Sequence, residues 1–238
     1  MRLVFCLFLF LPFLVQGQEA YPSKNVRLIA AAAPGGNPDV LARMLAAKLG
    51  DAFGKPFIVE NIPGAGGVVA AEQVARATAD GHTLMLGDSG AMAINVALNP
   101  KLSYHPTRDF TLITALAAVP TVLVLNPTVS GKLRVLCIST ISRSASLPDV
   151  PTAAELGFAG FDIATVIGLQ APAGLPREIG ARLQGAAAKA LRERDVAERM
   201  ANLGMELREN GSEHYARFAR EDLERYVAAV KAAGVKRE

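Results

Sequence analysis

The stretch from Val26 to Leu49 constrains the fold more than any other part of the chain. An apolar run from Val26 to Ala33 is followed by the turn Pro34-Gly35-Gly36-Asn37-Pro38-Asp39 and then by a helical pattern. This order predicts a strand, a tight glycine turn and the start of a helix. Glycine lets the backbone approach a ligand, and the unpaired N–H groups of a helix start favour anions. The stretch therefore predicts an anion-binding corner suited to a carboxylate or a phosphate.

The same order of strand, glycine turn and helix occurs twice more. The strands are predicted at 57–60 and 83–86, the turns at 61–67 and 87–90, and the helices at 68–78 and 91–98. Strands that alternate with helices predict a mainly parallel sheet with helices on its faces. Ligands of such sheets bind beyond the carboxyl ends of the strands, so the first and third turns compete for one ligand.

The C-terminal third is predicted to be helical. One helix begins at Pro176, a second is capped by Asp195 and ends at Leu203-Gly204, and a third runs from Ser212 to Gly234. The apolar and aromatic residues of the last helix keep helical spacing. This spacing indicates core packing rather than a binding cage.

The N-terminal residues predict export. Met1-Arg2 precedes an apolar run from Leu3 to Val15, and small and polar residues follow as far as Ala20. The run is too short to span a bilayer permanently and is typical of a secretory signal peptide over residues 1–17, with cleavage as late as residue 20. An uncleaved N-terminal anchor is the competing interpretation. We expect an exported mature protein.

Composition argues against several classes of protein. Hydrophobic residues make up 51% and charged residues 20% of the chain, as in a globular protein. The net charge of +3, without a basic stripe interleaved with aromatic residues, argues against a nucleic-acid partner. Cys6 leaves with the signal peptide, so Cys137 has no disulfide partner and is predicted to be buried. The histidines show no metal-ligand spacing, and we expect neither a metal nor a cofactor.

A series of short motifs extends over nearly all of the mature chain. They are Tyr21-Pro22-Ser23-Lys24, Val26-Arg27-Leu28-Ile29, Pro34-Gly35-Gly36 with Asp39, Val59-Glu60-Asn61, Pro63-Gly64-Ala65-Gly66-Gly67, Asp80-Gly81-His82-Thr83-Leu84, Ala93-Ile94-Asn95, Asp109-Phe110, Leu147-Pro148-Asp149-Val150-Pro151-Thr152 and Ala171-Pro172-Ala173-Gly174. In order and spacing they resemble the tripartite tricarboxylate transporter receptors, also called the Bordetella uptake gene family. The resemblance implies a type II periplasmic-binding-protein-like fold, with two α/β lobes around a cleft. It also implies a periplasmic, monomeric, non-catalytic receptor that delivers a small carboxylate-bearing solute to the membrane permease of a tripartite tricarboxylate transporter.

The resemblance implies the ligand contacts as well. Carried over residue by residue, they are Pro34, Gly35, Gly36 and Asp39 from the first turn, and Asp88, Ser89, Gly90 and Asn95 from the third. Backbone N–H groups and a hydroxyl can hold a carboxylate without a formal positive charge. Asp39 and Asp88 are acceptors, so we expect them to bind N–H groups of their own loops or a bound water. A purely structural turn role is an equal alternative for Asp88.

The chain also departs from the family pattern. Ala31-Ala32, Asn37-Pro38 and Val166-Ile167 replace residues that are usual in the family, so ligand specificity cannot be transferred. The largest departure is a missing block of the second lobe, with the seam between Ser130 and Gly131. We therefore expect lobe 1 to comprise residues 21–121 and 168–238, and a truncated lobe 2 to comprise residues 122–167.

Loss of much of lobe 2 predicts weak binding. A helix N-terminus contributes about 0.3–2 kcal/mol to a nearby anion, and a hydrogen bond to a charged group about 1.5–3 kcal/mol. Two or three such contacts from one lobe barely reach the roughly 8 kcal/mol of a micromolar complex, and association entropy opposes binding. We expect dissociation constants in the millimolar range or weaker.

Three alternatives remain open at this point. A non-binding remnant of such a receptor, produced by a deletion or by an error in the gene model, would keep the same patterns. A serine hydrolase is suggested by Gly87-Asp88-Ser89-Gly90, but the G-x-S-x-G motif needs glycine at Ala91 and no histidine is a recognisable partner. A dinucleotide enzyme is suggested by Gly64-Ala65-Gly66, but Val69 occupies the position of the third glycine.

Overall fold

The computed structural model describes residues 21–235, so the predicted signal peptide lies outside the described residues. The strands are β1 Val26–Ala30, β2 Phe57–Asn61, β3 Thr83–Asp88, β4 Phe110–Pro120, β5 Val122–Leu125, β6 Arg134–Ile138, β7 Ala164–Pro172 and β8 Glu206–Asn210. The helices are α1 Asn37–Phe53, α2 Val68–Ala75, α3 Asn95–Leu98, α4 Pro127–Ser130, α5 Arg177–Arg192, α6 Arg194–Asn202 and α7 Ser212–Ala232. A short 3-10 turn at Ala65–Gly67 precedes α2, and a π-helical turn at Gly90–Ile94 precedes α3.

Six strands form the main sheet, in the order β2-β1-β3-β7-β4-β8. β1 pairs in parallel with β2 and β3, whereas β7 is antiparallel to β3 and β4, and β8 is antiparallel to β4. β1 to β4 therefore share one direction, and the predicted α/β fold with a mostly parallel sheet is confirmed. The antiparallel strands β7 and β8 belong to the part of the chain where strands and helices no longer alternate regularly.

β5 and β6 form a separate two-stranded sheet, which is antiparallel. β5 and β6 do not pair in parallel, because the connection between them is too short for a parallel crossover. The chain leaves the main sheet at Pro120 and returns at Ala164, its pairing partner, ahead of the lobe boundary predicted at 168. Ser139 links the segment that leaves the main sheet to the segment that returns to it. Its N–H donates to Thr121 O at 2.9 Å, and its carbonyl accepts from Ile163 N–H at 2.7 Å.

Helices cover both faces of the main sheet. Leu28 and Leu84 point to one face and pack with α1, α5 and α6. Ile29 and Met85, their neighbours in sequence, point to the other face and pack with α2 and α7. Successive side chains of a strand alternate between faces, and all four are fully buried, so the sheet is apolar on both sides. Within residues 21–235, no helix combines the length and apolar character that crossing a bilayer requires.

The C-terminal helices begin close to their predicted starts. Pro176 precedes α5 and Ser212 opens α7, as predicted. Helix α6 begins after Glu193 rather than after Asp195, and the side chains of these two residues bind Lys48 of α1 at 2.6 and 2.8 Å. The edge strand β8 was not predicted, since its sequence is polar and main-chain bonds to β4 hold it in place.

A buried polar side chain ties α7 to the strand that leads into the third turn. Gln170 of β7 is fully buried, and its Oε1 accepts the N–H of Gly87 at 2.9 Å. Its Nε2 donates to the hydroxyl of Tyr215 on α7. A Cβ on Gly168 would overlap the Tyr215 ring, so glycine is needed there. This network connects Gly87, where the third turn begins, to β7 and α7.

The substitution Gly168→Ala tests this network. The added methyl group must displace Tyr215 and with it the bond to Gln170, so we expect a loss of about 1–3 kcal/mol, the usual cost of overpacking a core. Each kcal/mol lowers the Tm by about 2–4 °C in a chain of this size, which thermal unfolding followed by circular dichroism resolves.

Gly185→Ala provides the matched control. Gly185 lies in α5, and no atom is within 4 Å of the position its Cβ would take. Alanine is favoured over glycine in a helix by up to about 1 kcal/mol, so this variant should be as stable as the parent or more so. A Gly168→Ala protein with parental stability would show that the ring is not confined as described.

Candidate functional site

The turns after β1, β2 and β3 meet at one edge of the main sheet. The three strands run in the same direction, so their carboxyl ends lie together. A Cβ on Gly67 would lie 3.0 Å from the Cβ of Ala91 and 3.4 Å from that of Ala31. Its φ of +90° also favours glycine. Gly67 of the second turn therefore lies between Ala31, which follows β1, and Ala91, which follows the third turn.

Asp39 organises the first turn. Its carboxylate, in a residue only 3% exposed, accepts the N–H of Gly35 and the Nδ2 of Asn61, each at 2.8 Å. It also pairs with Arg43 Nη2 at 2.8 Å. Burial acts to raise the pKa of Asp39, but these bonds outweigh it and lower the pKa below its usual value. The prediction that Asp39 binds an N–H group of its own loop is confirmed.

The donors left at the first turn differ from the expected ones. The N–H of Gly35 is taken by Asp39, and the N–H of Gly36 donates to Ala33 O at 3.1 Å. Pro38 has no N–H group. Within residues 21–235, the N–H groups of Asn37 and Asp39 have no hydrogen-bond partner, as is usual in the first turn of a helix. These two groups, rather than the glycine amides, can receive an anion at the positive end of α1.

The acidic and hydroxyl side chains of the third turn hold the turn itself. Asp88 Oδ1 accepts the N–H groups of Gly90 at 2.9 Å and Ala91 at 3.3 Å. Burial raises the pKa of Asp88, and these bonds offset only part of that effect. The buried Ser89 Oγ accepts the N–H of Val166 on β7 at 3.1 Å. Asp88 thus binds N–H groups of its own turn, as predicted, and leaves the Gly90 amide occupied.

The second turn, to which the sequence analysis assigns no contact, is part of the same edge. Asn95 Nδ2 donates to Ala65 O at 3.2 Å and to Gly66 O at 3.1 Å, which joins the third turn to the second. A Cβ on Gly66 would lie 2.7 Å from this amide nitrogen, and the φ of Gly66 is +61°. The glycines of the motif from Pro63 to Gly67 could have indicated that this turn belongs to the site, because they adopt conformations that few other residues adopt.

The turns do not supply a nucleophile with a base. Ser89 Oγ accepts a main-chain N–H group instead of contacting a histidine. Among the described residues, His82 lies 3.3 Å from Asp80 at the opposite end of β3, and His105 and His214 contact Thr107 and Arg217. The serine–histidine pair that a hydrolase requires is therefore not assembled at Ser89.

Comparison with known families identifies one match. The model of the tripartite tricarboxylate transporter family receptor matches residues 41–130 and 124–235. The two matches meet where the sequence analysis places the seam. The chain has 238 residues, against about 300 in its homologues, and an alignment with one relative spans 292 positions, so it contains gaps in this chain. The predicted shortening is confirmed.

Individual relatives agree with this match. Protein BugT of Bordetella pertussis is 40% identical over 110 residues, which are 46% of this chain and 34% of BugT. The aligned part thus spans about a third of that relative. A solved structure described as a periplasmic transporter has a TM-score of 0.83 at 27% identity, covering 92% of this chain and 100% of its own. MatC from Rhodopseudomonas palustris, solved with bound malate, has a TM-score of 0.78 at 27% identity, covering 88% and 100%.

The two turn carboxylates are predicted to respond to pH in opposite ways. Asp39→Asn should lower the free energy of unfolding by about 1.5–3 kcal/mol at neutral pH, the range for hydrogen bonds to a charged group. The folded pKa of Asp39 lies below its unfolded value, so the carboxylate stabilises the fold above about pH 4 and loses this effect as the pH falls. Urea unfolding at several pH values should show the deficit closing on acidification.

Asp88→Asn is the matched comparison. Asparagine keeps an acceptor for the N–H groups of Gly90 and Ala91. The folded pKa of Asp88 is raised, so its stabilising effect is present below about pH 4 and is lost as the pH rises. At neutral pH this variant should equal or exceed the parent in stability. Similar losses in both variants at pH 7 would contradict the assignment.

Proposed function

Because this chain belongs to the tripartite tricarboxylate transporter receptor family, we propose that it is a periplasmic receptor for a small carboxylate-bearing solute. It works as a monomer, performs no catalysis and delivers its solute to the membrane permease of a tripartite tricarboxylate transporter. One observation carries the proposal: at the start of α1, near the edge where the glycine turns lie, two N–H groups have no hydrogen-bond partner within residues 21–235.

The proposed site keeps the residues carried over from the family and divides their roles. The set is Pro34, Gly35, Gly36, Asp39, Asp88, Ser89, Gly90 and Asn95, with Asn37 added. The carboxylates and Asn95 shape the turns by hydrogen bonds within the protein. The N–H groups of Asn37 and Asp39 bind the solute carboxylate, supported by the dipole of α1. The malate bound to MatC, a dicarboxylate in a related fold, supports this class of solute.

The proposed receptor has unequal lobes. We propose that the main sheet and its helices form lobe 1, residues 21–121 and 164–235, and that residues 122–163 form the truncated lobe 2, because β7 already belongs to the main sheet from Ala164. Among the described residues of the three turns, Asp39 and Asp88 carry acidic side chains. The nearby Arg43 of α1 is already paired with Asp39. With main-chain donors from one lobe only, dissociation constants in the millimolar range or weaker follow.

A non-binding remnant is the second candidate, favoured by the shortening of the chain relative to its family. Thermal unfolding in the presence of small mono-, di- and tricarboxylates separates the two. A solute at 100 times its dissociation constant stabilises a receptor by about 2.7 kcal/mol, which remains measurable for millimolar binders. If no carboxylate raises the Tm above that of a chloride control of equal ionic strength, the chain is a non-binding remnant.

The substitution Asn37→Asp is expected to abolish carboxylate binding without harming the fold. An acidic residue in the first turn of α1 interacts favourably with the helix dipole, by about 0.3–1 kcal/mol. The same charge repels a solute carboxylate at the adjacent N–H groups. The measurement is the rise in Tm with carboxylate concentration, which should disappear in this variant.

Asn25→Asp makes the same isosteric change at the other end of β1. Asn25 is exposed and precedes the strand, whereas Asn37 follows it. This control should retain the parental response to carboxylates. If Asn37→Asp responds as strongly as Asn25→Asp, the solute does not bind at the start of α1.

A further inference from the structure

The negative charge of Asp39 lies where the proposed site needs a positive potential. Asp39 is the third residue of α1 and is only 3% exposed. Despite this burial, its hydrogen bonds lower its pKa, so the carboxyl group is ionised at neutral pH. A helix start carries the equivalent of about half a positive elementary charge, which the full charge of Asp39 outweighs. Without compensation, the start of α1 would repel a carboxylate.

Arg43 supplies the compensating charge. Its Nη2 lies 2.8 Å from Asp39 Oδ1, one helical turn further along α1, and donates to Asn61 Oδ1 at 3.0 Å. Long side chains of a helix point back toward its N-terminus, which places the guanidinium over the first turn of α1. Because the charges of Asp39 and Arg43 offset each other, the dipole of α1 sets the sign again, and the helix start is positive.

Asn61 fixes the position of this ion pair. Its Nδ2 donates to Asp39 Oδ1 at 2.8 Å and to Ala32 O at 3.2 Å, while its Oδ1 accepts from Arg43. Asn61 is the last residue of β2, so these bonds attach the ion pair to the main sheet. The carboxylate of Asp39 is thus held against the first turn from two sides.

The other cations of β1 and α1 are engaged elsewhere. Arg27, the second residue of β1, lies 2.7 Å from Glu60 Oε2. Lys48 binds two acidic residues at the start of α6 and is nine positions beyond Asp39, or about 13 Å along the helix. Within β1 and α1, the charge of Arg43 is therefore the one that acts on Asp39.

We propose that Arg43 is a positioning residue that gives the site its preference for an anion, because it offsets the charge of Asp39 and holds its carboxylate in place. The inference rests on the proposed function and names the side chain on which binding at the start of α1 depends. A carboxylate gains from the restored dipole, whereas a neutral amide of the same shape gains little.

Two substitutions separate the charge of Arg43 from its hydrogen bonds. Arg43→Gln keeps a donor for Asp39 and removes the charge, and Arg43→Lys keeps the charge. Acetate, malate and adipate are the probes, with chloride at equal ionic strength as reference, and dissociation constants come from the rise in Tm with probe concentration. For the probe that raises the parental Tm most, we expect Arg43→Gln to bind about five- to tenfold more weakly and Arg43→Lys within about twofold of the parent.

Arg194→Gln is the matched control. Arg194 also forms an ion pair with an acidic residue four positions away, Glu198, on the exposed surface of α6. The variant removes the same charge and the same kind of contact away from the turns. Its response to the probe should equal that of the parent.

Asp39→Asn distinguishes an electrostatic role from a purely structural one. The variant leaves Arg43 without its counter-charge, so it should bind the probe about five- to tenfold more tightly than the parent. The double variant Asp39→Asn/Arg43→Gln should recover most of the affinity that Arg43→Gln loses. A purely structural role of the ion pair predicts weaker binding in all three variants.

The inference and the proposed function fail on different results. If Arg43→Gln binds the probe as the parent does, or the double variant binds no better than Arg43→Gln, the inference fails and the proposed function stands. Weaker binding by Asp39→Asn also contradicts the inference alone. If no carboxylate changes the parental Tm, the proposed function fails and the inference with it.

Discussion

The absence of a side chain at Gly67 allows three turns to meet. A Cβ on Gly67 would lie 3.0 Å from that of Ala91, after the third turn, and 3.4 Å from that of Ala31, before the first, so a larger residue would push these neighbours apart. Parallel pairing of β1 with β2 and β3 directs all three turns to the same edge, and the glycine lets them touch there. Hydrogen bonds from Asn61 to Asp39 and from Asn95 to the second turn hold the same edge together.

The turns use much of their hydrogen-bonding capacity on themselves. Asp39 and Asp88 resemble bound anions, because each accepts main-chain N–H groups that could otherwise receive a solute. Among the described residues, the N–H groups of Asn37 and Asp39 in the first turn of α1 are left without a partner. Such a site is pre-organised but small, which suits a receptor that must also release its solute.

The shortened part of the chain lies next to a partly exposed apolar surface. Relatives are longer, and the two family matches meet at residues 124–130, the end of β5 and the helix that follows it. In this chain the sheet of β5 and β6 borders an apolar cavity with two partly exposed phenylalanines.

Local sequence determined the first three strand–turn–helix units, the α/β class, the family and the helices near the C-terminus, because hydrophobic period and turn residues are short-range signals. It also indicated a shortened chain, which the length of the homologues confirms. Tertiary structure decided what depends on distant residues. β3 extends to Asp88 because β7 pairs with it, β8 exists because β4 offers an edge, and the Gly35 amide is occupied because Asp39 folds back onto it. Which N–H groups stay open to a ligand is therefore set by packing between elements, which a one-dimensional pattern does not contain.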